Sequence, residues 1–187
     1  MKAAAAKFPL LAIVAMVAAS TAMALPDDRN QPIEIQANSA ERDAKSGVTT
    51  YSGNVDIRQG SIHISADTVV LNSNKNNELT QITANGKPAT YTQQLSGPND
   101  IVDAKASKIH FDVAKDLITL LGNGTLKQQG GSITGERIEY DIKTERVRAQ
   151  AAESGSTDNS RRITVIIPPS KKTANTNSAA GNESKKQ

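Results

Sequence analysis

The sequence predicts an all-β protein. Three observations carry this. Apolar residues recur with a period of two over runs of roughly four to eight residues. No stretch long enough for a three-turn helix holds a 3.6-residue period. Gly, Asn and Pro punctuate the runs at close spacing. The clearest case is Thr50 to Leu71. Tyr51, Val55 and Ile57 share one parity, Arg58-Gln59-Gly60-Ser61 reads as a turn, and Ile62, Ile64 and Ala66 then alternate with His63, Ser65 and Asp67. Such a pattern puts one face of a strand in a core and the other in water.

The same stretch recurs. At an offset of 69 positions, Gly53-Asn54 falls on Gly122-Asn123, and Ile57-Arg58-Gln59 falls on Leu126-Lys127-Gln128 without a gap. Ile64 to Val69 falls on Ile133 to Ile138. Weaker copies, Ile35 to Ala40 and Ala104 to Ile109, lie 29 positions before Ile64 and Ile133. The spacing predicts two related halves, each built from smaller strand units that stack to bury a shared core.

In chain order, Ile33, Ile35 and Ala37 alternate with Glu34 and Gln36 as a first strand, entered through Pro32. Ala40 to Ser46 is a charged turn or short strand connection. The organising stretch follows, and Asn72 to Asn77 is a loop. Leu79, Ile82 and Ala84 lead to Asn85-Gly86, a hairpin signal, and Lys87 to Thr92 forms the next strand. Ser96 to Asp100 turns. Ile101 to Val113 carries Ile109, Phe111 and Val113 on one parity. Ala114-Lys115-Asp116 is a tight turn. Leu117 to Leu121 is a strand that Gly122-Asn123-Gly124 bends, and Thr125 to Gln128 continues it. Gln129-Gly130-Gly131 turns into strands with Ile133, Ile138, Tyr140 and Ile142. Val147, Ala149 and Ala151 begin another, Gly155 to Asn159 is a loop, and Ile163 to Ile167 is the last strand, stopped by Pro168-Pro169.

The ends differ from the body. Lys2 and Lys7, the apolar run Phe8 to Ala19 and the A-x-A site Ala22-Met23-Ala24 read as a secretory signal over residues 1–24. The apolar run is too short to span a bilayer. No Cys follows it, which excludes a lipid-modified N-terminus. Residues 25–169 fit one domain. Residues 170–187 have no apolar side chain larger than Ala and are expected to be disordered. The formal charge of +3 belongs to the ends. Without Lys2, Lys7, Lys171, Lys172, Lys185, Lys186 and Glu183, 16 basic residues face 18 acidic ones. The body therefore offers no basic groove for nucleic acid.

Several chemistries are missing. There is no Cys, so an exported protein of this sequence has no disulfides. The glycine spacing Gly130 to Gly135 lacks the Lys and Ser/Thr of a phosphate-binding loop. His63 and His110 are the only histidines and sit on polar parities. No carboxylate pair, nucleophile motif or metal-ligand spacing stands out, and neither a cofactor nor a metal is expected. The apolar faces are built from Ile, Val, Leu and Ala, with Tyr51, Tyr91, Phe111 and Tyr140 as the aromatics of residues 25–169. Such a lining suits an acyl chain better than a sugar.

Five segments together resemble a known family. They are Gln31 to Ile35, Tyr51 to Val55, Gly60 to Asp67, Asn85 to Tyr91, and Ala114-Lys115-Asp116 running on to Asn123. In order and spacing they are similar to the OstA-like (LptA) family of periplasmic bridge proteins in lipopolysaccharide transport. The resemblance covers about Gln31 to Pro168. It implies an open, twisted β-jelly roll (a β-taco) of about sixteen antiparallel strands in the periplasm, and it joins the missing catalytic motifs in pointing away from an enzyme. It implies a hydrophobic groove for the acyl chains of lipopolysaccharide. It also implies stacking of edge strands into head-to-tail oligomers, onto an LptC-like inner-membrane protein at the N-terminal edge and an LptD-like outer-membrane translocon at the C-terminal edge. Where relatives often carry Phe, this chain has Tyr91.

Strand parity then selects Ile33, Ile35, Ala37, Val55, Ile57, Ile64, Tyr91, Ile109, Phe111 and Val113 as groove lining, although a groove wall and a packed core look alike in sequence. Ile33 and Ile35 at one end, and Ile163, Val165 and Ile167 at the other, are the candidate joints. Two other readings fit an exported β-protein: a fibre or matrix subunit, and a chaperone for an outer-membrane polypeptide.

Overall fold

The computed structural model describes residues 27–95, 100–152 and 162–169. The expected signal, the Ser96 turn, the Gly155 loop and the C-terminal tail lie wholly or mostly outside them. A 3₁₀ turn, Asp28–Asn30, is followed by ten strands in one antiparallel sheet. They are β1 Glu34–Gln36, β2 Ser39–Asp43, β3 Val48–Gln59, β4 Ile62–Ser73, β5 Leu79–Gln94, β6 Ile101–Asp112, β7 Leu117–Gln128, β8 Gly131–Asp141, β9 Arg146–Gln150 and β10 Thr164–Ile166. The order is β1-β3-β4-β5-β6-β7-β8-β10, with β2 on β3 and β9 on β8. No described helix is long and apolar enough to cross a membrane.

The number of strands is ten where about sixteen are expected. The difference is a matter of continuity. Each pairing among β3 to β8 shifts register midway, at Ser52/Val55, Ser65/Thr68, Asn85/Ala89, Lys105/Lys108 and Leu121/Gly124. These shifts line up across the sheet and form a fold line. Six long strands bend there into twelve half-strands, which with β1, β2, β9 and β10 make sixteen. One set of halves pairs outward to β1 and β10, the other to β2 and β9. The sheet thus closes over itself as two leaves around one apolar core.

The fold line also overturns one local expectation. Asn85-Gly86 does not close a hairpin. It lies inside β5, at that strand's bend. The hairpin signal reports the local backbone, and the long pairing partners β4 and β6 decide its use. Likewise, Ser39 to Asp43 is a true strand, because β3 offers it an edge. The last strand is the shorter Thr164–Ile166, so Ile163 and Ile167 flank it.

Parity at the fold line explains how both leaves face inward. In β4 the inward residue Ile64 is even-numbered and Val69 odd. In β5 the switch runs from Ala84 to Ala89, in β6 from Ala106 to Ile109, and in β8 from Ile133 to Ile138. Across the bend the inward parity of these four strands reverses, while the residues left over by the register shifts lie in β3, β5 and β7. β3 and β7 solve the same problem without a switch. Gly53 and Asn54, and Gly122 and Asn123, all take positive φ, at 81°, 47°, 77° and 52°. The repeated Gly-Asn pair is therefore the repeated bend.

A Cβ at Gly122 would lie 2.9 Å from the Ser107 side chain, on top of the left-handed φ. Gly122→Ala is expected to lower stability by about 1–3 kcal/mol in urea unfolding. Gly131→Ala has no left-handed φ and meets its nearest atom at 3.4 Å. Its loss should be clearly smaller, and equal losses would refute the assignment of Gly122 to a strained bend.

Candidate functional site: an apolar groove between two leaves

The pairing registers build continuous apolar rows across the molecule. On the first leaf, Ile35, Ile57, Ile64, Tyr91, Ala104, Leu126, Ile133 and Val165 stand opposite one another in turn, from β1 to β10. On the second leaf the row is Ala40, Tyr51, Val69, Ala84, Ile109, Leu120, Ile138 and Ala149. Eight strands at about 4.8 Å spacing make each row about 34 Å long. The two rows face each other within the core. Their middle is dry, and their ends reach the edge strands.

The structure brings most predicted lining residues into this interior. Val55, Ile57, Ile64, Tyr91 and Ile109 are each at most 3 % exposed. Ile35 and Phe111 are half-buried against the same cluster. Ile33, Phe111 and Val113 line a cavity of about 450 Å³ where the free ends of the two leaves meet along the side. Ala37 stands apart. β1 ends at Gln36, and the chain crosses from one leaf to the other through Ala37-Asn38, so Ala37 is exposed and shares neither row. Sequence reading missed Val102, Ala104 and Ala106, which are almost fully buried on the first half of β6. Their parity is opposite to Ile109 and Phe111, and only the fold-line switch places both sets inside.

At the C-terminal end, Val165 and Ile167 are 56 % and 83 % exposed. A second cavity, of about 310 Å³, opens there beside Leu126, Ile133 and Val147. Ile163 is also exposed. The other end leaves Ile33 exposed before β1. The rows therefore run out into open edges at both ends.

Few polar groups enter the interior. The Tyr91 hydroxyl donates to Gln93 Oε1 at 2.6 Å, and the Gln93 amide donates to Asp28 Oδ2 at 2.9 Å. Burial pushes the Tyr91 hydroxyl far above its ordinary range. Burial likewise pushes Tyr140 up to about 12, and its fully buried hydroxyl has no hydrogen-bond partner. Asp28 itself is 4 % exposed and accepts from the Ser61 N–H at 2.6 Å and the Ser61 hydroxyl at 2.8 Å. Nothing in the polar stretch Asp27 to Gln31 signals a buried carboxylate. The signal lies in Gly60-Ser61, more than 30 residues later.

The histidines stay outside the groove. His63 Nε2 meets the Asp56 carboxylate, which His63 and then Arg58 hold below the usual carboxylate range. His110 Nδ1 lies 3.0 Å from the Thr83 hydroxyl. Among the described residues, no group of three or more His, Cys, Asp or Glu could hold a metal. The interior offers a continuous apolar surface with cavities of about 450 Å³ at the side and 310 Å³ at the C-terminal end.

Residues 34–146 match the family model described as LptA/(LptD N-terminal domain) LPS transport protein. The chain belongs to this family. It is 37 % identical to the lipopolysaccharide export system protein LptH of Pseudomonas aeruginosa, over 87 % of this chain and 94 % of that one. It is 39 % identical to LptA of Haemophilus influenzae, over 82 % of this chain and 87 % of the relative. With LptA of Escherichia coli K12 the identity is 33 %, over 86 % and 84 %. The crystal structure of P. aeruginosa LptH, titled the LptA-homologous periplasmic component of a lipopolysaccharide transport device, superposes with a TM-score of 0.69. It covers 77 % of this chain and all of that one. The open β-sheet architecture is that of the LptH structure, and membership in a transport family agrees with the non-enzymatic reading.

The raised tyrosine gives a pH prediction. A folded-state value near 12 against an ordinary 10.0 favours the neutral hydroxyl in the fold. That contribution is fully present below pH 10 and is lost as pH rises through 12. Urea midpoints measured across that window should fall, and Tyr140→Phe should make the fall shallower. An unchanged slope would show that Tyr140 is not held in a desolvated site.

Proposed function

We propose that this protein is a periplasmic bridge that carries lipopolysaccharide between the inner and outer membranes, with the lipid's acyl chains in the groove. Family membership gives the transport role. The observation that carries the finer reading is the pair of unbroken apolar rows ending in open edge strands. A ten-methylene chain buried there gains roughly 8 kcal/mol at ~0.8 per CH₂. A wall built mainly of Ile, Val, Leu and Ala, with Tyr51 and Tyr91 set in its rows, offers similar positions along its length, so the lipid slides instead of being released at every step. The sequence holds no nucleotide-binding loop, and the driving energy comes from a partner.

The joints follow from the edges. β1, with Ile33 and Ile35, receives an LptC-like inner-membrane protein. β10, with Val165 and its neighbours Ile163 and Ile167, meets an LptD-like translocon. The same two edges join copies of this chain head to tail by strand addition. The leader places the mature chain in the periplasm.

Photo-crosslinking tests the groove. A photoreactive residue at Phe111 should capture lipopolysaccharide, and one at His110, on the opposite face of β6, should not. Adducts at neither position would favour a structural protein with Phe111 as plain core, and adducts at both would place the lipid on the surface. Phe111→Glu should lower lipid binding at least ten-fold with the fold retained, because this half-buried side chain can turn toward solvent. The absence of cysteine makes the joint testable too. Chains carrying Ile35→Cys and Val165→Cys, mixed under oxidation, should form a disulfide heterodimer. Its absence under conditions that give oligomers would rule out this pairing.

A further inference from the structure

The side opening of the groove is crossed by the residues just before β1. The 3₁₀ turn Asp28–Asn30 lies between the free ends of the two leaves. Its attachment to the first leaf is dense. Asp28 accepts from Ser61 N–H, from the Ser61 hydroxyl and from the Gln93 amide, at 2.6 to 2.9 Å. The Gln59 amide donates to the Arg29 and Gln31 carbonyls at 3.4 and 3.1 Å. Gly60 makes room, since a Cβ there would stand 2.3 Å from Asp28 Oδ1.

Attachment to the second leaf is a single ion pair, from the Arg29 guanidinium to the Asp116 carboxylate in the β6–β7 turn. Asp116 is buried, and the Arg29 guanidinium is the cation that meets its carboxylate. The Arg29 side chain is 64 % exposed. Beneath lies the 450 Å³ cavity walled by Ile62, Leu79, Ile82, Phe111 and Val113.

We infer that Asp28-Arg29 is a strap, hinged on the first leaf and latched to the second, and that Arg29 binds the phosphate of an acylated lipid whose chains fill the cavity below. The inference rests on the groove reading. A lipid seated in that cavity carries its headgroup at the mouth, where Arg29 is the one cation among the lining residues. A guanidinium fork matches phosphate oxygens in a bidentate way. The neighbouring carboxylates Asp27 and Asp28 keep their charge but are fixed by neutral donors and do not pair with Arg29. Asp28 is held by Ser61 and Gln93, and Asp27 accepts from the Asn30 amide at 2.7 Å. Phosphate and Asp116 therefore compete for one cation. When phosphate takes Arg29, Asp116 is left buried and uncompensated and repels the headgroup, which swings the strap outward. When the lipid leaves, that same unpaired charge draws Arg29 back.

Two variants separate this from a purely structural ion pair. Arg29→Gln and Asp116→Asn both break the contact, and Asn tolerates the left-handed φ of 54° at position 116. A structural latch would move both variants the same way. The inference expects opposite signs. Arg29→Gln should bind phosphorylated lipopolysaccharide about ten-fold more weakly than the wild type, and Asp116→Asn, which frees the arginine, several-fold more tightly. With the same lipid stripped of its phosphates, neither change should appear. Millimolar inorganic phosphate alone should not displace the lipid, since the acyl chains anchor it. Shifts of the same sign in both variants, or an equal Arg29→Gln loss with stripped lipid, would overturn the proposal. Displacement by free phosphate would make the site an anion site unrelated to lipid. A wild type that binds neither form of the lipid would sink the groove reading itself, and the strap with it.

Discussion

Six strands pass from one leaf to the other, and each must keep its apolar side chains inward on both sides of the bend. A regular strand cannot do this, because its alternation continues unchanged around a corner. Every neighbouring pair therefore breaks register at the same level of the sheet. In four strands the break reverses parity. In β3 and β7 a left-handed Gly-Asn pair takes up the bend instead. Without that line, one leaf would turn Val102, Ala104 and Ala106, or Ile109 and Phe111, out to water. The groove, its two rows and its open ends all depend on it.

The groove differs from an ordinary sandwich core in its ends. A closed barrel pairs every edge and a covered sandwich hides them. Here β1 and β10 each keep a free side, and apolar residues sit on or beside them. Exposed Val165, Ile166 and Ile167 would be a liability in an isolated molecule. They become a joint when another strand pairs there. In the proposed head-to-tail assembly the same edges would align the interior rows of one molecule with those of the next.

The side of the groove is managed separately. A short turn from the start of the domain reaches across it, buried on one leaf and held by charge on the other. Asp28 ties this turn to Gln93 and through it to the Tyr91 hydroxyl inside the groove. The polar chain from mouth to interior passes through three side chains. It satisfies a buried phenol that would otherwise lack a hydrogen-bond partner, as the Tyr140 hydroxyl does.

Much of the fold was legible in the residues alone. Period-two alternation marked the strands, and the Gly122-Asn123-Gly124 bend was visible because only Gly and Asn accept the required backbone cheaply. The 69-residue repeat correctly paired that bend with Gly53-Asn54. Val55, Ile57, Ile64, Tyr91 and Ile109 were placed on inward faces by parity within their own half-strands. Three things needed the tertiary structure. The Asn85-Gly86 signal is satisfied by a hairpin or by a bend, and only the strands on either side of β5 choose. The parity of the first half of β6 cannot be carried across a bend that the sequence of β6 does not announce, since the residues left over there belong to its neighbours β5 and β7. Ala37 and Asp28 owe their surroundings to segments distant in the chain, the leaf crossing after β1 and the Gly60-Ser61 turn. Local pattern fixes which way a side chain points relative to its neighbours along a strand. Which side is inside is decided by what the sheet folds against.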